Sequence, residues 1–94
     1  MGRRRFDHLY VETCVAAGRR LSRVALWYAL HEAGCDPEAL TREAALAFCR
    51  GGLRRTLARE GAALSPRALR RLEREVGRYD PTRPTPYEIF AAFA

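Results

Sequence analysis

Five arginines in one predicted helix are the residues whose type and spacing most clearly suggest chemistry in this chain. They recur three or four positions apart between residues 66 and 79, and this spacing places them within about 100° of arc on a helix. Guanidinium groups bind phosphate and carboxylate oxygens in bidentate fashion, and a row of them can follow a phosphate backbone. The pattern predicts an anion-binding surface, here named the arginine ridge: Arg67, Arg70, Arg71, Arg74 and Arg78.

The opposite side of the same helix is apolar, which predicts that it is buried. Its residues are Leu69, Leu72, Val76 and Tyr79. Like charges one helical turn apart repel each other by about 0.2–0.5 kcal/mol per pair, so an anionic partner would relieve the ridge. The alternative is a solvent-exposed face that Glu73, Glu75 and acids of other helices partly neutralise.

The overall charge favours the same class of partner. All 17 basic residues are arginine, and the formal net charge is +6. This favours nucleic acid, an acidic protein or an anionic membrane face as a partner. The composition also has an explanation without any partner, because lysine, asparagine and glutamine are absent, as GC-rich coding or a thermophilic source would produce.

Metal binding and catalysis have weaker signals. His31 and Cys35 lie four residues apart, and Cys14 and Cys49 could approach them in a bundle, but no CxxC spacing is present. The chain has no lysine, two serines and neither a phosphate-binding glycine loop nor a nucleophile elbow. We therefore expect no metal, no cofactor and no enzymatic activity, although a Cys–His pair formed between distant residues stays open.

Composition and spacing predict an all-α fold. Alanine and leucine dominate, and alternating apolar and polar runs are missing. Apolar residues spaced 4, 3, 4, 3 and 4 predict one long N-terminal helix from Asp7 to Ala33, which continues through Gly18. The members of this seam are Tyr10, Cys14, Ala17, Leu21, Val24 and Tyr28.

Caps, prolines and glycines divide the remaining chain. Asp36-Pro37 predicts a second helix that ends at Gly51-Gly52, with Leu40, Ala44, Ala47 and Phe48 on its inner face. Further helices are expected at 53–60, 66–79 and 86–93, with a proline-rich strap at 80–85. The prediction is a single domain, 1–94: one compact bundle of four to five helices, with residues 1–6 as a basic arm.

The C-terminal helix predicts an apolar surface. Tyr87, Ile89, Phe90 and Phe93 point all around its axis, so one side of a bundle cannot bury them all. The helix either inserts into the core of its own chain or leaves an apolar patch for a second chain.

These features predict a non-catalytic interaction or regulatory module. In the first hypothesis the arginine ridge, together with Arg3, Arg4 and Arg5, contacts nucleic acid without reading bases, or else an acidic protein. In the second, the chain is a homodimer or an accessory protein that associates through its apolar C-terminal helix. No apolar stretch is long enough to span a membrane, and acidic residues interrupt any signal-peptide core, so we expect a cytoplasmic protein.

Overall fold

Helix caps and glycines divide the described chain into six α-helices and one 3-10 turn. The structure is a computed structural model that describes residues 2–84 and 86–93, with the side chains of residues 2, 3, 86 and 87 left out. The described part contains helices and no strand, so the predicted all-α fold is confirmed. The helices are α1 (Gly2–Ala17), α2 (Arg23–Glu32), α3 (Arg42–Arg50), α4 (Leu53–Arg59), α5 (Pro66–Arg78) and α6 (Pro86–Ala92), and the 3-10 turn is Pro37–Ala39.

The N-terminal helix is the longest, but it ends at Ala17, so the prediction of one helix to Ala33 is wrong. Gly18 has a φ of +70°, a left-handed conformation that terminates helices and suits glycine. The Arg19 amide then donates to the carbonyl of Cys14 at 3.2 Å. α2 starts again at a new cap, because the hydroxyl oxygen of Ser22 accepts a hydrogen bond from the Ala25 amide at 3.1 Å.

The buried face of the N-terminal segment also differs from the predicted seam. Phe6, Leu9 and Thr13 are the buried residues of α1, whereas Val24 and Tyr28 are exposed on α2. The seam prediction holds for Tyr10, Cys14, Ala17 and Leu21, which lie in or against the core. It fails on α2, because the break at Gly18 changes the direction in which that helix faces. The basic arm predicted for residues 1–6 is wrong as well, since α1 begins at Gly2.

The second predicted helix is also divided. Asp36 caps it as expected, but it caps only the 3-10 turn, and Leu40 then adopts extended backbone. α3 begins after a second cap, in which the hydroxyl oxygen of Thr41 accepts from the Ala44 amide. The predicted inner face is partly wrong, because Ala47 is exposed while Ala45 and Cys49 are buried.

Helix α5 packs against both α1 and α3, while α4 packs against α2 and α3. The most deeply buried side chains come from several helices and form one core: Leu9, Leu30, Leu53, Leu57, Leu72 and Val76. After α5 the chain makes a turn rather than an extended strap, and the Asp80 carboxylate accepts hydrogen bonds from the Thr82 amide and hydroxyl.

Two glycine substitutions should change stability in opposite directions. A Cβ at Gly52 would lie 3.0 Å from the ring of buried Phe48, so Gly52→Ala should lower the free energy of unfolding by about 1–2 kcal/mol. A Cβ at Gly77 would meet Arg42 and Leu46 at ordinary contact distances of 3.7 and 3.8 Å. Gly77→Ala should therefore raise the free energy of unfolding by about 0.5–1 kcal/mol, because alanine has a higher helix propensity than glycine. Urea unfolding measures both values, and shifts of the same sign would contradict the packing described here.

Candidate anion-binding groove

The arginine ridge lies on the solvent side of α5. The hydroxyl oxygen of Ser65 accepts from the Ala68 amide at 3.1 Å, and Pro66 occupies the first turn, so α5 begins where the sequence predicts. Leu72 and Val76 are buried on its inner side. The outer side exposes all five ridge residues, Arg67, Arg70, Arg71, Arg74 and Arg78.

Ion pairing with the described carboxylates reaches one of the ridge arginines. Arg78 pairs with Glu75 at 2.9 Å, whereas Glu73 accepts a hydrogen bond from Arg50 of α3 at 2.8 Å. The other four ridge arginines make no hydrogen bond or ion pair within residues 2–84 and 86–93. The predicted alternative, partial neutralisation by Glu73, Glu75 and acids of other helices, thus applies to part of the ridge. Glu75 pairs with Arg78, and Arg71 lies near enough to Glu12 of α1 to favour a lower pKa of that carboxyl, against the larger effect of burial.

Helices α3 and α5 bring a second set of arginines to the ridge. A groove of about 530 Å³ runs between them and is lined by five arginines and Glu73, which together carry a formal charge of +4. Its arginines, which define what we call the arginine groove, are Arg42, Arg50, Arg70, Arg74 and Arg78. The groove thus joins three members of the ridge to two cations from a different helix.

The floor of the arginine groove explains how two charged helices approach each other. Leu46 and Gly77 also line it, and Gly77 has no side chain to separate α5 from α3. Sequence reasoning missed Arg42 and Arg50 as site residues. The sequence does contain one indication of these two residues. Arg42 and Arg50 are eight residues apart, which places them on one face of a helix, about 12 Å apart along its axis.

Two of the three N-terminal arginines predicted for the site contact the chain after α5. Arg4 donates to the carbonyl of Pro81 at 2.8 Å and pairs with Glu88, which ties α1 to the C-terminal segment. Arg5 lies over the Tyr79 ring at 5.5 Å, within cation–π range. Both line a cavity of about 620 Å³ that shares Arg42 with the arginine groove, so the basic surface continues toward α1. The side chain of Arg3 lies outside the described part.

The C-terminal helix exposes the apolar residues that the sequence singled out. Phe90 and Phe93 are 74% and 86% exposed, and Ile89 is also exposed. The side chain of Tyr87 and the predicted cap Thr85 lie outside the described residues. This helix is therefore not buried in the core of its own chain on the described faces.

A cluster on the other side of α5 contains the histidine whose pKa is shifted. His8 stacks on Tyr79 with ring centroids 4.0 Å apart and lies 3.9 Å from Glu12. Burial lowers the pKa of His8, and the nearby Glu75 only partly opposes this effect. Burial, followed by repulsion from Glu75, raises the pKa of Glu12.

Other kinds of site find little support in the described residues. The three cysteines are free, and burial raises the pKa of Cys49 to about 12. In residues 2–84 and 86–93 there is no group of three His, Cys, Asp or Glu side chains that could hold a metal ion. None of the described helices is long and apolar enough to cross a membrane. No protein-family model, curated protein or solved structure matches this chain.

The His8 cluster predicts a specific pH dependence of stability. Because the pKa of His8 is lowered from 6.5 in the folded protein, the unfolded chain binds the proton first as the pH falls. Stability should therefore decrease below pH 6.5 until the folded-state pKa is reached. His8→Phe keeps the stacking on Tyr79 and should reduce this decrease, measured as urea midpoints between about pH 7.5 and 5.

His31→Phe on α2 is the matched control and should leave the profile unchanged, because His31 is exposed. If His8→Phe and His31→Phe reduce the pH dependence of the urea midpoint equally, the decrease in stability does not come from His8.

Proposed function

We propose that this protein is a small non-catalytic helical module that binds the phosphate backbone of nucleic acid through the arginine ridge and the arginine groove. The observation that carries the proposal is the set of exposed guanidinium groups on α5 that no carboxylate of the described chain contacts. Repulsion within this set is relieved when phosphates replace the missing carboxylates.

The lining of the groove supports backbone binding rather than base reading. Proteins that grip single strands stack bases on aromatic side chains, but the described residues that line the arginine groove include no aromatic one. The three groove arginines of α5, Arg70, Arg74 and Arg78, are instead spaced by four residues, about 6 Å along the helix, as a row of point contacts to phosphates. A duplex, whose phosphates face outward, suits this surface better than a single strand.

The absence of catalysis is part of the proposal and rests on how the nucleophiles are used. The hydroxyl oxygens of Ser22 and Ser65 each accept a backbone hydrogen bond at a helix start. The raised pKa of Cys49 keeps that thiol protonated near neutral pH.

The experiment measures binding of a 20-base-pair duplex of mixed sequence as a function of salt. If five arginines contact phosphates, affinity should drop by roughly 500-fold between about 50 and 200 mM salt. R70S/R74S should weaken binding at low salt and reduce the drop to roughly 40-fold, because two phosphate contacts are lost.

The matched control is R54S/R55S, which removes the same charge from exposed positions of α4. If binding depends on the ridge and groove, this control retains most of the affinity and the salt dependence. Equal losses in both double variants would mean that net charge alone drives binding. No binding of the duplex at low salt would end the proposal.

A second candidate function has its own observation. The exposed Phe90 and Phe93 favour a protein–protein contact made by α6, such as a homodimer or an accessory role. In that case the arginines serve solubility and ion pairing.

Sedimentation over a range of concentrations tests the second candidate. If α6 forms a contact between copies, the wild-type chain dimerises, and its melting temperature rises with protein concentration. F90S/F93S should stay monomeric and should melt at the temperature of the dissociated wild-type chain at every concentration, because both residues are exposed in the monomer. A wild-type chain that stays monomeric up to about millimolar concentration would exclude the homodimer.

A further inference from the structure

The break between α1 and α2 leaves an apolar surface that neither proposed function uses. Val11 and Val15 of α1 are 54% and 52% exposed, and Val24 and Tyr28 of α2 are 64% and 56% exposed. Each pair is four residues apart, so each forms a short apolar stripe along its helix. Single exposed apolar residues are ordinary, but two stripes on consecutive helices are an extended patch.

The patch contains two shallow depressions that are open to solvent. A cavity of about 440 Å³ lies beside Val11 and Val15 and is also lined by Tyr10 and Cys14. A second cavity, of about 340 Å³, lies beside Val24 and Tyr28 and is also lined by Phe6 and Trp27. The two cavities are neighbours, because Arg23 lines the second and lies 5.4 Å over the Tyr10 ring of the first.

The rim of this surface is basic. Arg19 and Arg20 line the first cavity, and their side chains make no ion pair in the described part of the chain. Arg23 is neutralised by Asp7 and lies over the Phe6 ring at 4.9 Å, so it forms part of the wall. An apolar centre with an arginine rim is the usual composition of a protein interface.

We propose that this surface, the α1–α2 groove, binds an amphipathic helical segment of another protein whose flanking residues are acidic. Apolar side chains at positions i, i+3, i+4 and i+7 of that segment would enter the two cavities, and its carboxylates would pair with Arg19 and Arg20. The occupant is not a second copy of this chain, since each copy carries a net charge of +6 and would bring more arginines to the basic rim.

The experiment uses a displayed library of 18-residue helices with glutamate at the flanking positions and random apolar residues at i, i+3, i+4 and i+7. Selection on the wild-type protein is paired with counter-selection on V15S/V24S, whose changed residues are exposed and should leave the fold intact. Trp27, the sole tryptophan of the chain, lines one cavity and reports occupancy by a shift of its fluorescence.

The proposal expects enrichment of helices that shift Trp27 fluorescence and bind the wild type at least about tenfold more tightly than V15S/V24S. R19S/R20S should lower the affinity for the selected peptide by roughly three- to tenfold and make this affinity less dependent on salt. R54S/R55S, which removes the same charge from α4, should leave the peptide affinity unchanged.

Three results would overturn the proposal. The first is that no helix is enriched over the counter-selection. The second is that a selected helix with its glutamates replaced by lysines binds equally well. The third is that vesicles containing anionic lipid shift Trp27 fluorescence while the helices do not, which would assign the surface to a membrane.

Discussion

Charge imbalance is the constraint on which the surface of this protein depends, because 17 arginines share 11 carboxylates. Several of those carboxylates are occupied elsewhere. Asp36 caps the 3-10 turn, Asp80 holds the turn after α5, and Glu60 accepts from the Ser22 amide at the start of α2. Each of these hydrogen bonds satisfies a backbone amide that would otherwise lack a partner. Asp80 has both roles, hydrogen bonding and neutralisation, because its carboxylate also lies 3.8 Å from the guanidinium of Arg83.

The remaining carboxylates are distributed unevenly over the helices. Glu73 and Glu75 belong to α5, yet Glu73 pairs with Arg50 of α3 across the contact between the two helices, and the centre of the ridge forms no ion pair within the described residues. Such an exposed pair contributes at most about 1 kcal/mol, so α3 is held on α5 mainly by burial of its apolar face. The unpaired arginines therefore follow from the arrangement of the helices rather than from a deficit at one position.

The sequence predicted those elements whose ends are marked by side-chain chemistry. Ser65-Pro66 located the start of α5, Gly51-Gly52 separated α3 from α4, and Gly34, at φ +85°, follows the end of α2. The sequence-based prediction failed at Gly18, where the apolar spacing continues unchanged across a position at which the helix ends. The helix end at Gly18 prevailed over the regular apolar spacing. The hydrogen bonds of a helix end form within a few residues, whereas an apolar stripe stabilises a helix only when a partner helix packs against it.

The arginine groove could not be predicted for a different reason. Arg70, Arg74 and Arg78 are visible as a periodic set, but Arg42 and Arg50 join them only because α3 packs on the correct side of α5. A pattern within one helix shows which residues share a face. It does not show which other helix that face meets, and this information lies in the packing of the core.

The break at Gly18 also creates a surface that a continuous helix could not have. In an unbroken helix, Phe6 and Arg23 would be about 26 Å apart along the axis. Here the link after α1 returns along it, the Tyr10 hydroxyl donates to the Leu21 carbonyl at 2.6 Å, and the Arg23 guanidinium lies 4.9 Å over the Phe6 ring. The same glycine that invalidates the predicted long helix thus places two apolar stripes beside each other, which a straight helix would have separated along its axis.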